Sequence, residues 1–192
     1  MNWIAFFSQT GSEIVNISKS LGIKPTLIVT DNTTEEKWKY HPELRKLKVT
    51  ILQARHDVLM NYFRNQTIYN PDETIITLHG YLRIIPADIC QQYRMYNGHP
   101  ANIRMYPELK GLNPQERTWN NRGKYPIIGS VIHKVTPGVD EGEIVKEFST
   151  ANNCKTLEEM YDTLKLTSLR TWEFYLKDVL DESRNNRGSV GR

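Results

Sequence analysis

Short apolar runs and helix-patterned stretches alternate over the first two-thirds of this chain, and that alternation restricts the fold more than any other feature. Residues 3–7 read as a strand, 12–20 as a helix and 25–30 as a strand. Residues 48–52 form a further strand, followed by a helix over 57–65. The stretch 73–79 carries the run Thr-Ile-Ile-Thr-Leu of a buried strand. Residues 86–92 read as a short helix with proline in its first turn, and 94–97 as a brief strand. Repeated β-α-β units of this kind need a mostly parallel sheet covered by helices, because parallel neighbours must be joined by crossovers. The expected fold class is therefore α/β, a Rossmann-like sheet with flanking helices. Such sheets place ligands beyond the C-terminal ends of their strands.

The last third changes character. Residues 127–135 and 143–150 are rich in β-branched side chains and flank a Pro137-Gly138 turn, which reads as a hairpin-like pair. Its connecting loop carries Asp140. Thr156-Leu-Glu-Glu159 has the form of a capping box opening a long helix. Leu157, Met160, Tyr161, Leu164, Trp172, Leu176 and Val179 follow at helical spacing and are expected in the core. Residues 181–192 are polar and contain Gly and Ser, so a disordered tail is expected there. The 192 residues then resolve into one domain over 1–180.

Composition excludes several classes. A net charge of +3 gives no basic face for nucleic acid. The two cysteines, Cys90 and Cys154, are too few for a disulfide framework and lack metal-ligand spacing, so reduced, buried thiols and no metal are expected. No apolar run approaches the roughly 20 residues of a membrane helix. Met1-Asn2-Trp3 does not open a signal peptide, so a cytoplasmic location and no membrane partner are expected.

Two segments carry chemistry. Asn97-Gly98-His99-Pro100 puts a carboxamide and an imidazole where a strand ends, two residues apart and so on the same side. Val139-Asp140-Glu141-Gly142 adds a carboxylate in a glycine-flanked turn. An amide N–H holds a carbonyl oxygen, an imidazolium stabilises it as an oxyanion, and a carboxylate keeps the imidazole charged and oriented. This is equipment for acyl transfer without a covalent enzyme intermediate. Taken alone, His99 reads as a structural histidine and Asn97 and Asp140 as turn formers.

The order Asn-x-His-Pro followed by Val-Asp-x-Gly resembles the 10-formyltetrahydrofolate-dependent formyltransferases, most nearly the glycinamide ribonucleotide branch, over about residues 3–176. The resemblance implies that Asn97, His99 and Asp140 are catalytic. Gly80-Tyr-Leu-Arg-Ile-Ile85 is similar to the family's Gly-Phe-Met-Arg-Ile-Leu segment. That implies an apolar slot for the folate's pterin ring, built from Leu82, Arg83, Ile84 and Ile85 with Met95, Val135 and Val139. The donor implied is 10-formyltetrahydrofolate, with no metal; the partners implied are folate and a small amine acceptor, in a monomer or homodimer.

On the acceptor side the resemblance assigns Gly11, Ser12, Glu13, Pro100 and Lys165. Gln9-Thr-Gly-Ser-Glu13 corresponds to a loop that holds the substrate phosphate in the glycinamide enzymes, as a helix N-terminus can. The same residues also form a Thr10-x-x-Glu13 capping box, which would consume those N–H groups. Glu13 stands where the family usually has asparagine, Lys165 stands at a substrate-contacting glutamate, and the segment 106–115 lacks histidines common after its Tyr-Pro. Alternatives are therefore an amino-sugar-nucleotide or other nucleotide N-formyltransferase and a formyltetrahydrofolate hydrolase. The hydrolase relatives carry an extra N-terminal domain. Transfer to initiator methionyl-tRNA is disfavoured because those relatives add a C-terminal RNA-binding domain. A non-enzymatic alternative is an inactive folate-binding module.

Overall fold

The computed structural model describes residues 1–32 and 40–188. The chain separates into two compact units, Met1–Asn97 with Lys134–Gly142, and Gly98–His133 with Glu143–Arg192. The fold is α/β, with mostly parallel strands and flanking helices.

The first unit holds β1 (Asn2–Phe7), β2 (Leu27–Thr30), β3 (Ile51–Gln53), β4 (Thr74–Leu78) and, as far as Asn97, β5 (Arg94–His99), in the order β3-β2-β1-β4-β5. Every pairing along it is parallel, with Ile4 opposite Leu27 and Ile76, and Ile76 opposite Met95. Both sheet faces are covered, so β1, β2 and β4 are buried almost along their whole length. Ile4, Phe6, Val29, Ile76 and Leu78 pack with Leu59, Met60 and Phe63 of α2 (His56–Asn65) and Ile89 of α3 (Ala87–Gln92). α1 (Ser12–Leu21) buries Ile14, Val15 and Ile17. From β1 the chain proceeds outward to β2 and β3, then returns to place β4 on the opposite side of β1. The switch point between β1 and β4 is where an open α/β sheet leaves a crevice, and the loops after these two strands, 8–13 and 79–85, sit there.

In the second unit, α4 (Pro114–Asn120) precedes the antiparallel pair β6 (Ile127–Lys134) and β7 (Ile144–Ala151), and α5 (Leu157–Gly188) closes the chain. Its core gathers Ala101, Ile103, Leu109, Tyr125, Ile128, Val131, Met160 and Leu164. Hydroxyls lock α5 to β6. Ser130 Oγ lies 2.8 Å from Thr167 Oγ1, and Thr171 Oγ1 donates to the carbonyls of Thr167 and Ser130.

Several expectations are corrected. The third strand begins at Ile51, not 48, because Lys48 takes a left-handed conformation (φ 55°) that ends a short 3-10 turn. Pro86 is the residue before α3, not within its first turn. The stripe of α5 excludes Tyr161, which is exposed and donates its hydroxyl to Glu116 across to α4. Helix continues through 181–188, where a disordered tail was expected, and residues 189–192 lie outside the described ones. Cys90 and Cys154 are free thiols but half-buried, not buried.

Candidate active site

The loop leaving β1 is built around Gly11. Its φ of 71° falls in the left-handed region, and a Cβ there would meet the Leu44 side chain at 3.0 Å, so both backbone and space require glycine. Gly11 thereby becomes the residue before α1, displacing Thr10 from the capping position. The Thr10-x-x-Glu13 capping box is not formed. Thr10 Oγ1 accepts only from the Ser12 N–H (3.2 Å), and no side chain caps the helix. Glu13 turns to the sheet instead, where its carboxylate takes a hydrogen bond from His79 Nδ1 at 2.8 Å. His79 Nε2 lies 2.8 Å from Thr77 Oγ1, which accepts from Trp3 Nε1 at 2.7 Å. The His79 side chain is wholly buried while Glu13 keeps a quarter of its side chain in solvent. Ser12 is half-buried on the same turn.

The loop leaving β4 is tied to the first. Ser8 N donates to the Gly80 carbonyl, and Leu82 N donates to Ser8 Oγ at 3.0 Å. Ser8 Oγ in turn donates to Asp31 Oδ1 at 2.5 Å, and Arg83 Nε donates to Asp31 Oδ2 at 2.6 Å. Asp31, at the end of β2, is only 4% exposed in its side chain, so the guanidinium and hydroxyl supply the partners a buried carboxylate needs. Tyr81 points inward and shares a 2.9 Å hydrogen bond with His56 Nδ1. Burial and the Asp31 carboxylate push the Tyr81 hydroxyl far above the usual tyrosine range. Burial likewise lowers the His56 pKa, against the pull of Asp31. Leu82 and Ile84 face solvent at 61% and 63% exposure, whereas Ile85 is buried with the core. The four residues of this loop assigned to the apolar slot thus divide into two exposed apolar side chains, one ion-paired arginine and one core anchor.

Asn97 and Asp140 meet in this same unit. Asn97 Nδ2 donates to Asp140 Oδ1 at 3.4 Å, a long hydrogen bond. The loop bearing Asp140 is stitched to β5 by Val135 N donating to the Met95 carbonyl at 2.9 Å. Met95 is buried, Val135 packs on the core and Val139 is 54% exposed. Asp140 itself holds φ 52°, a conformation that costs an L-residue energy but that aspartate tolerates better than most, and that recurs at functional sites.

His99 lies in the second unit, 4% exposed. Its Nε2 is 3.0 Å from the Leu109 carbonyl oxygen. A carbonyl only accepts, so Nε2 carries the proton and Nδ1 is the nitrogen that can change protonation. Pro100 is half-buried beside it, and Lys165 is exposed on α5. The structure thus joins Asn97 with Asp140 and Met95 with Val135, and spends Glu13 and Arg83 on partners within the protein. Ser8, Asp31, His56, His79, Tyr81 and the Leu109 carbonyl were not anticipated from sequence. Asp31 alone carried a signal, a carboxylate directly following the apolar run of β2. Among the described residues no three His, Cys, Asp or Glu side chains group to hold a metal ion. No helix among them is long and apolar enough to cross a membrane.

Comparison with known proteins places this arrangement. The formyl transferase family model matches residues 7–168. The structure is similar to phosphoribosylglycinamide formyltransferase from Streptococcus pneumoniae, at 19% identity and a TM-score of 0.73, over 93% of this chain and 98% of that one. It is similar to the enzyme of the same name from Campylobacter jejuni, at 14% identity and a TM-score of 0.75, over 93% and 97%. The corresponding protein from Anaplasma phagocytophilum matches at 16% identity and a TM-score of 0.76, over 95% and 88%. Identities this low establish a shared fold, while the family match spans both the Asn97-to-Pro100 motif and the Asp140 loop. The chain belongs to the formyl transferase family and is an enzyme of formyl-group transfer.

Proposed function

We propose that this enzyme moves a formyl group from 10-formyltetrahydrofolate to a primary amine of a small, phosphorylated acceptor, acting in the cytoplasm as one catalytic domain over residues 1–180. The observation that carries this reading is the contact of Asn97, on β5, with Asp140, whose own backbone is in the left-handed region. The exposed apolar side chains Leu82, Ile84 and Val139 of the same unit supply the surface a folate ring would cover.

In the reaction the unprotonated amine attacks the formyl carbon, and the carbonyl oxygen takes up the negative charge. The Asn97 amide and the imidazolium of His99 hold that oxyanion. One such donor is worth about 2.7–4 kcal/mol of barrier. The His99 Nε2–H is held by the Leu109 carbonyl. Asp140 favours the charged imidazole and passes the proton lost by the amine, through water, toward the folate nitrogen as its bond to the formyl carbon breaks. Atoms balance: the amine loses one hydrogen and gains the formyl group, and tetrahydrofolate leaves with the hydrogen.

The test is His99→Ala and Asp140→Ala, each assayed by mass spectrometry for one formyl group gained by the amine. Both are expected to lose at least about 100-fold in turnover while still folding, as a circular-dichroism melt with a cooperative transition shows. Near wild-type turnover in either would refute the mechanism.

One observation favours an acceptor other than glycinamide ribonucleotide. The Glu13 carboxylate sits in the first turn of α1, held by His79, where a phosphate on this loop would meet a like charge. Lys165 replaces the glutamate that the resemblance puts at the acceptor. An amino-sugar nucleotide or another nucleotide-linked amine suits this arrangement. A steady-state comparison of the two acceptors decides it, and efficient formylation of glycinamide ribonucleotide sinks the alternative. Formate release with no amine present would mark a hydrolase, and folate binding without turnover an inactive module.

A further inference from the structure

Gly98, next to His99, is a glycine for a reason other than its backbone conformation, since its φ lies outside the left-handed region. A Cβ on it would stand 2.6 Å from Trp172 Nε1, 3.0 Å from Cε2 and 3.1 Å from Cζ2. The indole edge therefore presses on the Cα of Gly98 more closely than any other residue type allows. The indole has little room to retreat. Trp172 is fully buried and packs edge-on to Tyr175, with ring centroids 6.1 Å apart. Its neighbour Thr171 and, one turn earlier, Thr167 tie α5 to β6 through Ser130. His99 is meanwhile restrained at its ring by the Leu109 carbonyl.

We propose that Trp172 is a positioning residue for His99: its indole edge sets the backbone at Gly98, and with the Leu109 hydrogen bond it fixes the aim of the imidazole. Neither restraint comes from the strand's own pairing. A tryptophan 73 residues downstream of the histidine would thus contribute to turnover without touching substrate. The inference rests on the proposed role of His99 in the reaction, and its test includes a readout that does not need turnover.

Three variants test it: Gly98→Ala, Trp172→Leu, and the two combined. Alanine at 98 collides with the indole, and leucine at 172 removes the colliding edge. Gly98→Ala is expected to lose about 100-fold in kcat, with the KM for the folate donor changed less than about three-fold, as a small misplacement of a reacting group does. The combined variant is expected to recover at least about ten-fold of that loss. In nitrogen-15 histidine spectra the His99 Nε2–H proton should be protected in the wild type, shifted in Gly98→Ala and restored in the double variant. Wild-type kcat in Gly98→Ala, or a folded double variant no more active than Gly98→Ala, overturns the proposal. Should Gly98→Ala fail to fold, Trp172→Leu alone decides. An unchanged kcat together with an unchanged His99 Nε2–H resonance then overturns it, and about a ten-fold kcat loss with faster exchange of that proton supports it. A wild-type protein that transfers no formyl group to any amine sinks the proposed function instead. The His99 resonance still reads whether Trp172 holds the ring.

Discussion

The loops after β1 and β4 leave adjacent parallel strands at one end of the same sheet, yet they use their side chains in opposite ways. The β1 loop spends its polar groups inside the protein. Ser8 goes to Asp31, Glu13 to His79, and the Gln9 carbonyl accepts from Asn32 Nδ2. The β4 loop buries its polar anchor, Tyr81, and its core residue, Ile85, while leaving Leu82 and Ile84 in solvent. Leu82 and Ile84, on either side of the exposed Arg83, leave two large apolar side chains in solvent with no folding benefit, the surface that the proposed folate site would use. The β1 loop is shaped to stay as it is. In the proposed function, the segment assigned to the folate presents apolar side chains to solvent, and the loop assigned to the acceptor is held by internal contacts.

Placing a charge on the exposed β4 loop is the largest expected way to separate the two. Leu82→Asp or Ile84→Asp should weaken binding of a non-reactive folate analogue by at least about 100-fold, because a desolvated carboxylate costs several kcal/mol. Both side chains are exposed, so thermal stability should hardly move. Calorimetry on the folded variants checks this. Unchanged affinity would place the folate elsewhere and dissolve the comparison.

Removing His79 should do the reverse. His79→Ala empties a fully buried site, removes one donor from Glu13 and leaves Thr77 with one partner fewer. A loss of about 2–4 kcal/mol is expected, which for a chain of this size lowers Tm by roughly 4–16 °C. Affinity for the folate analogue should stay within a few-fold. A thermal melt and one titration measure both. A variant that kept its Tm would show that the β1 loop is not held from within.

The smallest effect concerns pH and the buried anchor of the β4 loop. Burial lowers the folded-state pKa of His56 below its ordinary 6.5. The folded protein therefore prefers the neutral ring. That contribution to stability is fully present above pH 6.5 and is lost as pH falls from there through the lowered pKa. Urea unfolding at pH 7.5 and 5.5 should show the wild type losing more stability on acidification than His56→Gln. His56 is partly in solvent, so screening keeps the difference small. Equal losses in the two proteins would remove His56 from the account.

Much of this molecule is legible in its sequence. The alternation of strand and helix, the antiparallel pair after residue 126 and the cap of the last helix follow from local pattern. Thr156 Oγ1 accepts from the Glu159 N–H at 3.1 Å as expected, although the Glu159 carboxylate closes on the Lys155 N–H one residue earlier. The same four-residue pattern at Thr10-x-x-Glu13 does not form a cap. The difference is tertiary. At Thr156 the cap is closed by neighbours in sequence, Lys155 and Glu159, while Glu13 meets His79, 66 residues away in sequence, and Gly11 is pinned beneath Leu44. The candidate residues Asn97, His99 and Asp140 could be listed from motif and resemblance. That Asn97 faces Asp140, or that His99 gives Nε2–H to Leu109, could not.

What the sequence by itself determined is the set of interactions made within a turn or along one strand: periodicity selects helix or strand, and residue type selects caps and breaks. Only the tertiary structure decided the partners of buried polar groups. A buried carboxylate, imidazole or hydroxyl must find a partner or forfeit several kcal/mol, and which partner is within reach depends on strands that sequence order leaves far apart. Asp31 with Arg83, His79 with Glu13, and Gly98 beneath Trp172 were all settled in that way.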